Sequence, residues 1–208
     1  TLPNGMKVAL LPRKTRGATV NVELRMDFGD EKSLFGQATL ASATAAMLSK
    51  GTTKHDRQAF DDALDGMLAK LSFNGDGQVM SATGQTTREH LDGLLALTAE
   101  ALQSPTFVPD EADKLKREWL ADIEQGRTDP DAIARRALGR LNNPYPHGDV
   151  RYVSTIDEDL AYVKAVTPAA MKAFHDKFYG ASHVEIAVVG DFDPAAVRAQ
   201  LTALFGSW

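Results

Sequence analysis

The sequence predicts an α+β fold, an antiparallel sheet with helices packed on it, and three observations predict it. Residues 19–26 alternate Val20, Val22, Leu24 and Met26 with Asn21, Glu23 and Arg25, the period-two pattern of a strand with one buried face. Residues 71–73 and 79–85 flank Asn74, Gly75, Asp76 and Gly77, which tolerate positive φ angles, so they read as an antiparallel hairpin. Helical segments with start and stop signals are grouped around these strands rather than alternating with them, which argues against a parallel α/β sheet.

Taken in order, residues 6–11 form a short apolar run after a Pro-Asn-Gly turn and are expected to neighbour the strand at 19–26. Residues 27–32 are a polar loop. Residues 36–52, GQATLASATAAMLSKGT, read as a helix: Leu40, Thr44, Met47 and Leu48 recur at helical spacing, and five alanines raise its propensity. Lys50 suits the negative end of the dipole, and Gly51 is the expected left-handed cap. A second helix starts near Asp56 with Phe60, Leu64, Met67 and Leu68 on one face.

After the hairpin, Thr86-x-x-Glu89 predicts a capping box opening a helix that carries Leu91, Leu94, Leu95, Thr98 and Leu102 and stops at Pro105. Pro109 starts a long helix with Leu115, Trp119 and Ile123. Asp129-Pro130 starts another, with Ile133, Ala137, Leu138 and Leu141, and residues 142–149 are loop. Ser154-x-x-Asp157 and Thr167-Pro168 open two more helices, the second with Met171, Phe174 and Phe178 inward. The near-continuous apolar run at 184–189 belongs in the sheet interior, and Asp193-Pro194 caps a final helix with Val197, Leu201, Leu204 and Phe205.

At 208 residues and 43% apolar content, the chain is long enough to bury roughly 70% of its unfolded surface as a single domain, residues 1–208. A net charge of −5 gives no basic field for nucleic acid or anionic lipid. No apolar run approaches the roughly 20 residues that span a membrane, and no signal peptide opens the chain. Thr1 in place of Met, with a strand starting almost at once, suggests a piece excised from a longer multi-domain protein. The absence of cysteine excludes disulfides, thiolate metal sites and cysteine nucleophiles.

One face of the helix at 36–52 carries only small side chains: Ser42, Ala45, Ala46 and Ser49 fall at i, i+3, i+4 and i+7. Nothing on that stripe ligates a metal, and small residues let a helix press closely on a sheet. In order and spacing, LPNGMKVALLP, this helix, LSFNGDGQVMSATGQTTREHLDGLLALTAEALQSPTF, NPYPHGD and VEIAVVGDFDPAAVRAQLTALFGSW together resemble the insulinase/pitrilysin family of zinc metallopeptidases. The resemblance implies the same antiparallel α+β fold. In active members the corresponding helix carries His-x-x-Glu-His, two zinc ligands at i and i+4 with a glutamate that polarises the attacking water. Aligned from Met47, Leu48, Lys50, Gly51 and Thr52, those places are held here by Ser42, Ala45 and Ala46. The distal glutamate ligand corresponds to Asp122 in WLADIEQGRTDPD. Residues 37–40 look like a short insertion relative to the active helix.

The resemblance therefore implies a catalytically silent domain with no cofactor of its own, whose partner is a homologous, zinc-bearing peptidase domain acting on peptides. In the family such domains form a chamber, and the silent ones supply walls and substrate contacts. Its bacterial periplasm or cell-envelope setting is carried over on the same basis. A structural subunit, like the family's non-peptidase core proteins, is the alternative. A third possibility is an enzyme using His147. None of His55, His90, His147, His175 and His183 stands three or four residues from another, so no two share a helical face as ligands. Glu89-His90 and His175-Asp176 read as solvated surface. His147 sits in a Pro-rich loop that the family retains as a connection. Asp122 reads either as a relic of the zinc site or as an ordinary helical carboxylate near Lys114, Lys116 and Arg117. No Gly-x-Gly-x-x-Gly loop or Gly-x-Ser-x-Gly elbow is present for nucleotide binding or a serine nucleophile.

Overall fold

The computed structural model describes residues 1–208. In chain order its elements are β1 (Lys7–Pro12), β2 (Thr19–Asp27), α1 (Ala38–Met47), α2 (Arg57–Gly66), β3 (Lys70–Asp76), β4 (Val79–Thr87), α3 (Leu91–Gln103), α4 (Pro109–Gln125), α5 (Pro130–Leu141), α6 (Ile156–Ala165), α7 (Pro168–Phe178), β5 (Val184–Gly190) and α8 (Pro194–Phe205). The strands form one sheet in the order β1-β5-β2-β4-β3. β2 pairs antiparallel with β4 and with β5, and β3 pairs antiparallel with β4. The α+β architecture expected from the sequence is present, with one departure: β1 runs parallel to β5.

That pairing also corrects the expected adjacency of the first two strands, because β5 lies between them. Val184, Ile186 and Val188 are buried on β5, and a strand this apolar takes an interior place. A period-two pattern shows which face of a strand is buried but not which strand lies beside it. Register aligns Leu24 with Ala82 on one side and Ile186 on the other, so the buried faces of three strands coincide. Against that face pack Leu91, Leu94, Leu95 and Leu102 of α3, Leu201 and Phe205 of α8, and Ala41 and Ala45 of α1, in one continuous core. A second, smaller core joins Ala43 and Met47 of α1 to Phe107, Ala112, Leu115, Val166 and Met171.

Local signals are partly displaced from their expected places. The hairpin turn is Gly77-Gln78, with Gly77 at φ +46°, while Asn74 and Gly75 stay within β3. The Thr86 capping box does not form: its hydroxyl donates to the Met67 carbonyl at 2.9 Å, and a short 3-10 turn at Arg88–His90 precedes α3. The capping box of α6 forms one residue later than expected, at Thr155 and Glu158. Gly51 does not take a left-handed cap conformation. At φ +152° it lies where an added Cβ would stand 2.9 Å from Thr106 Oγ1, and it bridges to Asp56. Leu68, expected on the inward face of α2, follows that helix at φ +48° and is 76% exposed.

The caps at Asp56, Asp129, Thr167 and Asp193 are as the sequence indicates, each accepting a backbone N–H of the first turn. The exception in packing is α5, which buries no residue at all. No helix is long and apolar enough to cross a membrane.

Candidate functional site

α1 follows a tight entry in which Leu34 is buried and the Gln37 amide donates to the Ser33 carbonyl at 2.6 Å. Its larger side chains, Met47 and Leu48, are fully buried with Thr44, whose hydroxyl returns to the Leu40 carbonyl at 2.7 Å. The small stripe meets the sheet. Ser42 Oγ lies 3.0 Å from the Gly75 carbonyl oxygen of β3 and 3.2 Å from the Ala38 carbonyl of its own helix. A Cβ at Gly75 would come within 2.8 Å of Ala45 Cβ, 2.9 Å of Ala41 O and 2.9 Å of Ser42 Cα. Backbone and helix are therefore in direct contact, and Ala45 is fully buried there.

Ala46 faces differently. It is half-buried and packs with Leu40 and Trp119 against the second core. Asp122 lies three residues past Trp119 on α4, exposed, with no side-chain hydrogen bond or ion pair. Two of the three cations expected near it are engaged elsewhere, Lys114 with Glu111 at 2.5 Å and Lys116 with the carbonyls of Lys164 and Val166 at 3.1 and 2.9 Å, and Arg117 forms no ion pair with it. Ser42, Ala45, Ala46 and Asp122 thus lie on two helices that share the second core, α1 and α4. A hydroxyl, two methyl groups and one solvated carboxylate do not fit a zinc ion, whose structural and catalytic sites take three or four convergent N, S or O donors. No cluster of three or more His, Cys, Asp or Glu side chains is positioned to hold a metal.

Two polar clusters were not visible as such in the sequence. In the first, Glu100 of α3 accepts from the Thr52 hydroxyl and pairs with His55 Nδ1 at 2.8 Å. Burial pushes the Glu100 carboxyl up, but the hydrogen bonds from His55 and Thr52 outweigh it and leave the group below its ordinary range. This knot fastens the segment between α1 and α2 to α3, at the side of an open groove of about 390 Å³ that Met67, Gly93 and Leu97 also line. In the second, His147 Nε2 is 2.8 Å from Tyr162 OH and 3.6 Å from Glu158, while Tyr152 OH donates to Glu158 at 3.2 Å. His147 is largely exposed and ties its loop to α6. The spacing of these residues along the chain, 147 against 152, 158 and 162, carries no motif that would have signalled the cluster.

His175 corrects the solvated-surface expectation. It is only 8% exposed, and its Nε2 stands 2.8 Å from the Leu102 carbonyl, so the neutral ring donates from Nε2. Burial holds its pKa below the ordinary value, more than the Leu102 and Asp176 contacts raise it. Tyr179 stacks on it at 4.6 Å, with a buried hydroxyl that has no partner and is pushed up strongly by burial alone.

Residues 165–208 match the family model described as "Peptidase M16 inactive domain". The zinc protease PqqE of Helicobacter pylori is 22% identical over 199 residues, which is 95% of this chain and 44% of that protein. The non-peptidase homolog YmxG of the same organism is 26% identical over 117 residues, 56% of this chain and 27% of its own length. The crystal structure of a peptidase M16 inactive domain from Pseudomonas fluorescens superposes with a TM-score of 0.84 at 25% identity, covering 100% of this chain and 49% of that one. The chain thus spans about half the length of the relatives it matches over most of its own length. What the chain is similar to, in sequence over residues 165–208 and in fold over its whole length, is the inactive domain of peptidase M16.

Proposed function

We propose that this domain is the non-catalytic part of a zinc metallopeptidase, forming chamber wall and substrate or partner contacts for a zinc-bearing half that hydrolyses peptides. The observation that carries the reading is the closed face of α1. Where an active member needs two imidazoles and a glutamate, Ser42 is engaged with Gly75 O and Ala45 is sealed against the Gly75 backbone. The positions Ser42, Ala45, Ala46 and Asp122 are, in this reading, the degenerate remains of the metal site. Zinc resides in the partner half, and this half supplies the enclosure that orients a peptide and excludes water. The open edge of β3, the last strand of the sheet, is a surface on which extended peptide gains main-chain hydrogen bonds.

The test is deletion of residues 1–208 from the full-length parent, followed by zinc analysis and peptide turnover. Retained zinc with turnover lowered by about 10²-fold or more is expected, the scale of a lost positioning element. Full-rate cleavage by the remainder would overturn the chamber-wall role. Similarity to YmxG, named a non-peptidase homolog, favours one second reading, a purely structural subunit. That reading gains if no zinc-bearing half accompanies this domain.

A further inference from the structure

We propose that His147, Tyr152, Glu158 and Tyr162 form a ferric-iron site that clasps the loop at 142–149 to α6. The site is separate from the α1 face and does not rest on the chamber-wall reading.

Four donor atoms meet where the loop reaches α6. His147 Nε2 lies 2.8 Å from Tyr162 OH and 3.6 Å from Glu158 Oε1, and Tyr152 OH lies 3.4 Å from the same Oε1. Glu158 and Tyr162 stand at i and i+4 on α6, while His147 and Tyr152 come from the segment that leads into it. Ligands about 2.0–2.1 Å from a first-row ion stand about 2.9 Å apart at right angles and about 3.4 Å apart at the tetrahedral angle. The observed separations are those of neighbouring ligands around one centre, so an ion can enter by small side-chain rotations.

The donor set selects the ion. The His147–Glu158 pair has no further imidazole, thiolate or carboxylate placed to complete a metal site, and two phenols take that place instead. Two phenolates and a carboxylate carry three negative charges, which balance a trivalent cation, and oxygen anions with one imidazole suit iron(III) better than a soft thiophilic ion. Phenols ionise near pH 10, so weakly polarising cations leave them protonated. A trivalent ion lowers that value as bound cations do for water. On binding, iron(III) takes a lone pair from each of the four donors, and the two phenol protons pass to solvent.

The surroundings already orient these donors. Glu158 Oε2 accepts from the Thr155 N–H at 2.7 Å and the Thr155 hydroxyl at 3.0 Å, which leaves Oε1 to face His147 and Tyr152. Arg140 donates to Tyr152 OH at 3.2 Å, a contact that favours the phenolate. Outer contacts of this kind fix ligand geometry and raise affinity. His147 is 62% exposed, so the ion arrives from solvent on that side. Both tyrosines also line a small cavity of about 60 Å³, walled by Asp149 and Ser154, where water has room at the coordination positions the four side chains leave.

The test uses the full-length parent, with any zinc it carries left in place, titrated with ferric citrate and followed by visible absorption. Zinc is silent there, whereas iron(III) on a phenolate gives a charge-transfer band. One iron per chain with that band is expected, and the resonance Raman spectrum of the wild-type adduct should show iron-coupled tyrosinate modes, a readout that needs no variant. Tyr152→Phe and Tyr162→Phe should each lower the band by about half or more, and His147→Ala should weaken iron binding by about tenfold or more. Tyr145→Phe, on the same loop but outside the four donors, should change neither. Urea midpoints confirm that each variant folds. No band and no tyrosinate modes at saturating iron would overturn the proposal. A band unchanged in both tyrosine variants would mean an adventitious ion only and would overturn it as well. So would displacement of the iron by zinc or copper(II) at equal concentration.

Discussion

The Ser42 hydroxyl of α1 meets the carbonyl oxygen of Gly75 on β3 at 3.0 Å, and the bare Cα of Gly75 is what lets the two elements approach that closely. Glycine here is a matter of space and not of backbone angle, since its φ is not among the positive ones. Gly75→Val should therefore destabilise the domain by about 1–3 kcal/mol through overpacking against Ala45 and the backbone of α1. Gly66→Ala is the control: it closes α2 with nothing within 4 Å of the added Cβ, and should be neutral or stabilising by up to about 1 kcal/mol. Denaturant midpoints of the two variants, at unchanged slope, check the pair.

Adjacent positions of α1, Ala45 and Ala46, should differ sharply in tolerance. Ala45 is fully buried against β3, so Ala45→Glu puts a carboxylate where no cation or N–H donor waits and should cost about 3 kcal/mol or more. Ala46 is half-buried at the edge of the second core, and Ala46→His should cost under about 1.5 kcal/mol. Thermal unfolding of the two single variants measures the difference. Equal, small costs would mean that the α1 face is open enough to receive the active motif directly.

Why some of this was legible in the sequence and some not follows from the range over which each signal acts. Asp56, Asp129, Thr167 and Asp193 act on the next three residues, and all four caps are in place. The failure of the Thr86 box has a tertiary cause: the Met67 carbonyl, 19 residues away, takes its hydroxyl. Strand order is likewise a matter of the whole sheet, which is why β5 could be assigned to the interior while its place between β1 and β2 could not. His175 shows the same limit within a single residue. Adjacency to Asp176 suggests surface, and only the fold brings the Leu102 carbonyl to its ring. At the site itself, that Ser42, Ala45 and Ala46 bring no imidazole or carboxylate to α1 is plain in the sequence. The sealing contact with Gly75 is not, because it depends on a turn that moved two residues along the hairpin.

The loop at 142–149 should be fastened in a pH-dependent way through Asp149. Two side-chain contacts and the backbone N–H of Arg151 hold the Asp149 carboxyl down at about 2, from an ordinary 3.8. The same guanidinium pairs with Glu31 at 2.7 Å and covers the Tyr145 ring at 3.9 Å. A carboxyl depressed on folding contributes stability that is complete above its unfolded value and is lost as pH falls through its folded one. The loop should stay fastened above pH about 4 and loosen toward pH 2. Asp149→Asn should remove that dependence, read as hydrogen exchange of the loop amides at pH 5 against pH 2.5.

A second acid-sensitive element acts in a higher window and reports on the core. His175 is packed between Phe107 and Tyr179, with Nε2–H donated to the Leu102 carbonyl at the end of α3. Lys172 and Asp176 on the same helix are the charged groups that bear on the ring: Asp176 is 3.7 Å from Nδ1 but is itself paired with Lys172 at 2.5 Å. Burial disfavours the imidazolium, so the folded pKa lies below the unfolded value of 6.5. For a base depressed on folding, the unfolded chain takes up the proton first. Stability is then complete above pH 6.5 and declines as pH falls from there through the folded pKa. His175→Phe keeps an aromatic ring against Tyr179 but gives up the donor to Leu102. It should lose about 1–2 kcal/mol at pH 8, where the wild-type ring is neutral in both states, and the gap between the two proteins should narrow as pH falls below 6. Urea unfolding of both proteins at pH 8, 6.5 and 5 decides it. A gap that widens toward pH 5 would mean that the buried ring is charged in the folded domain and that Asp176, not Leu102, governs its state.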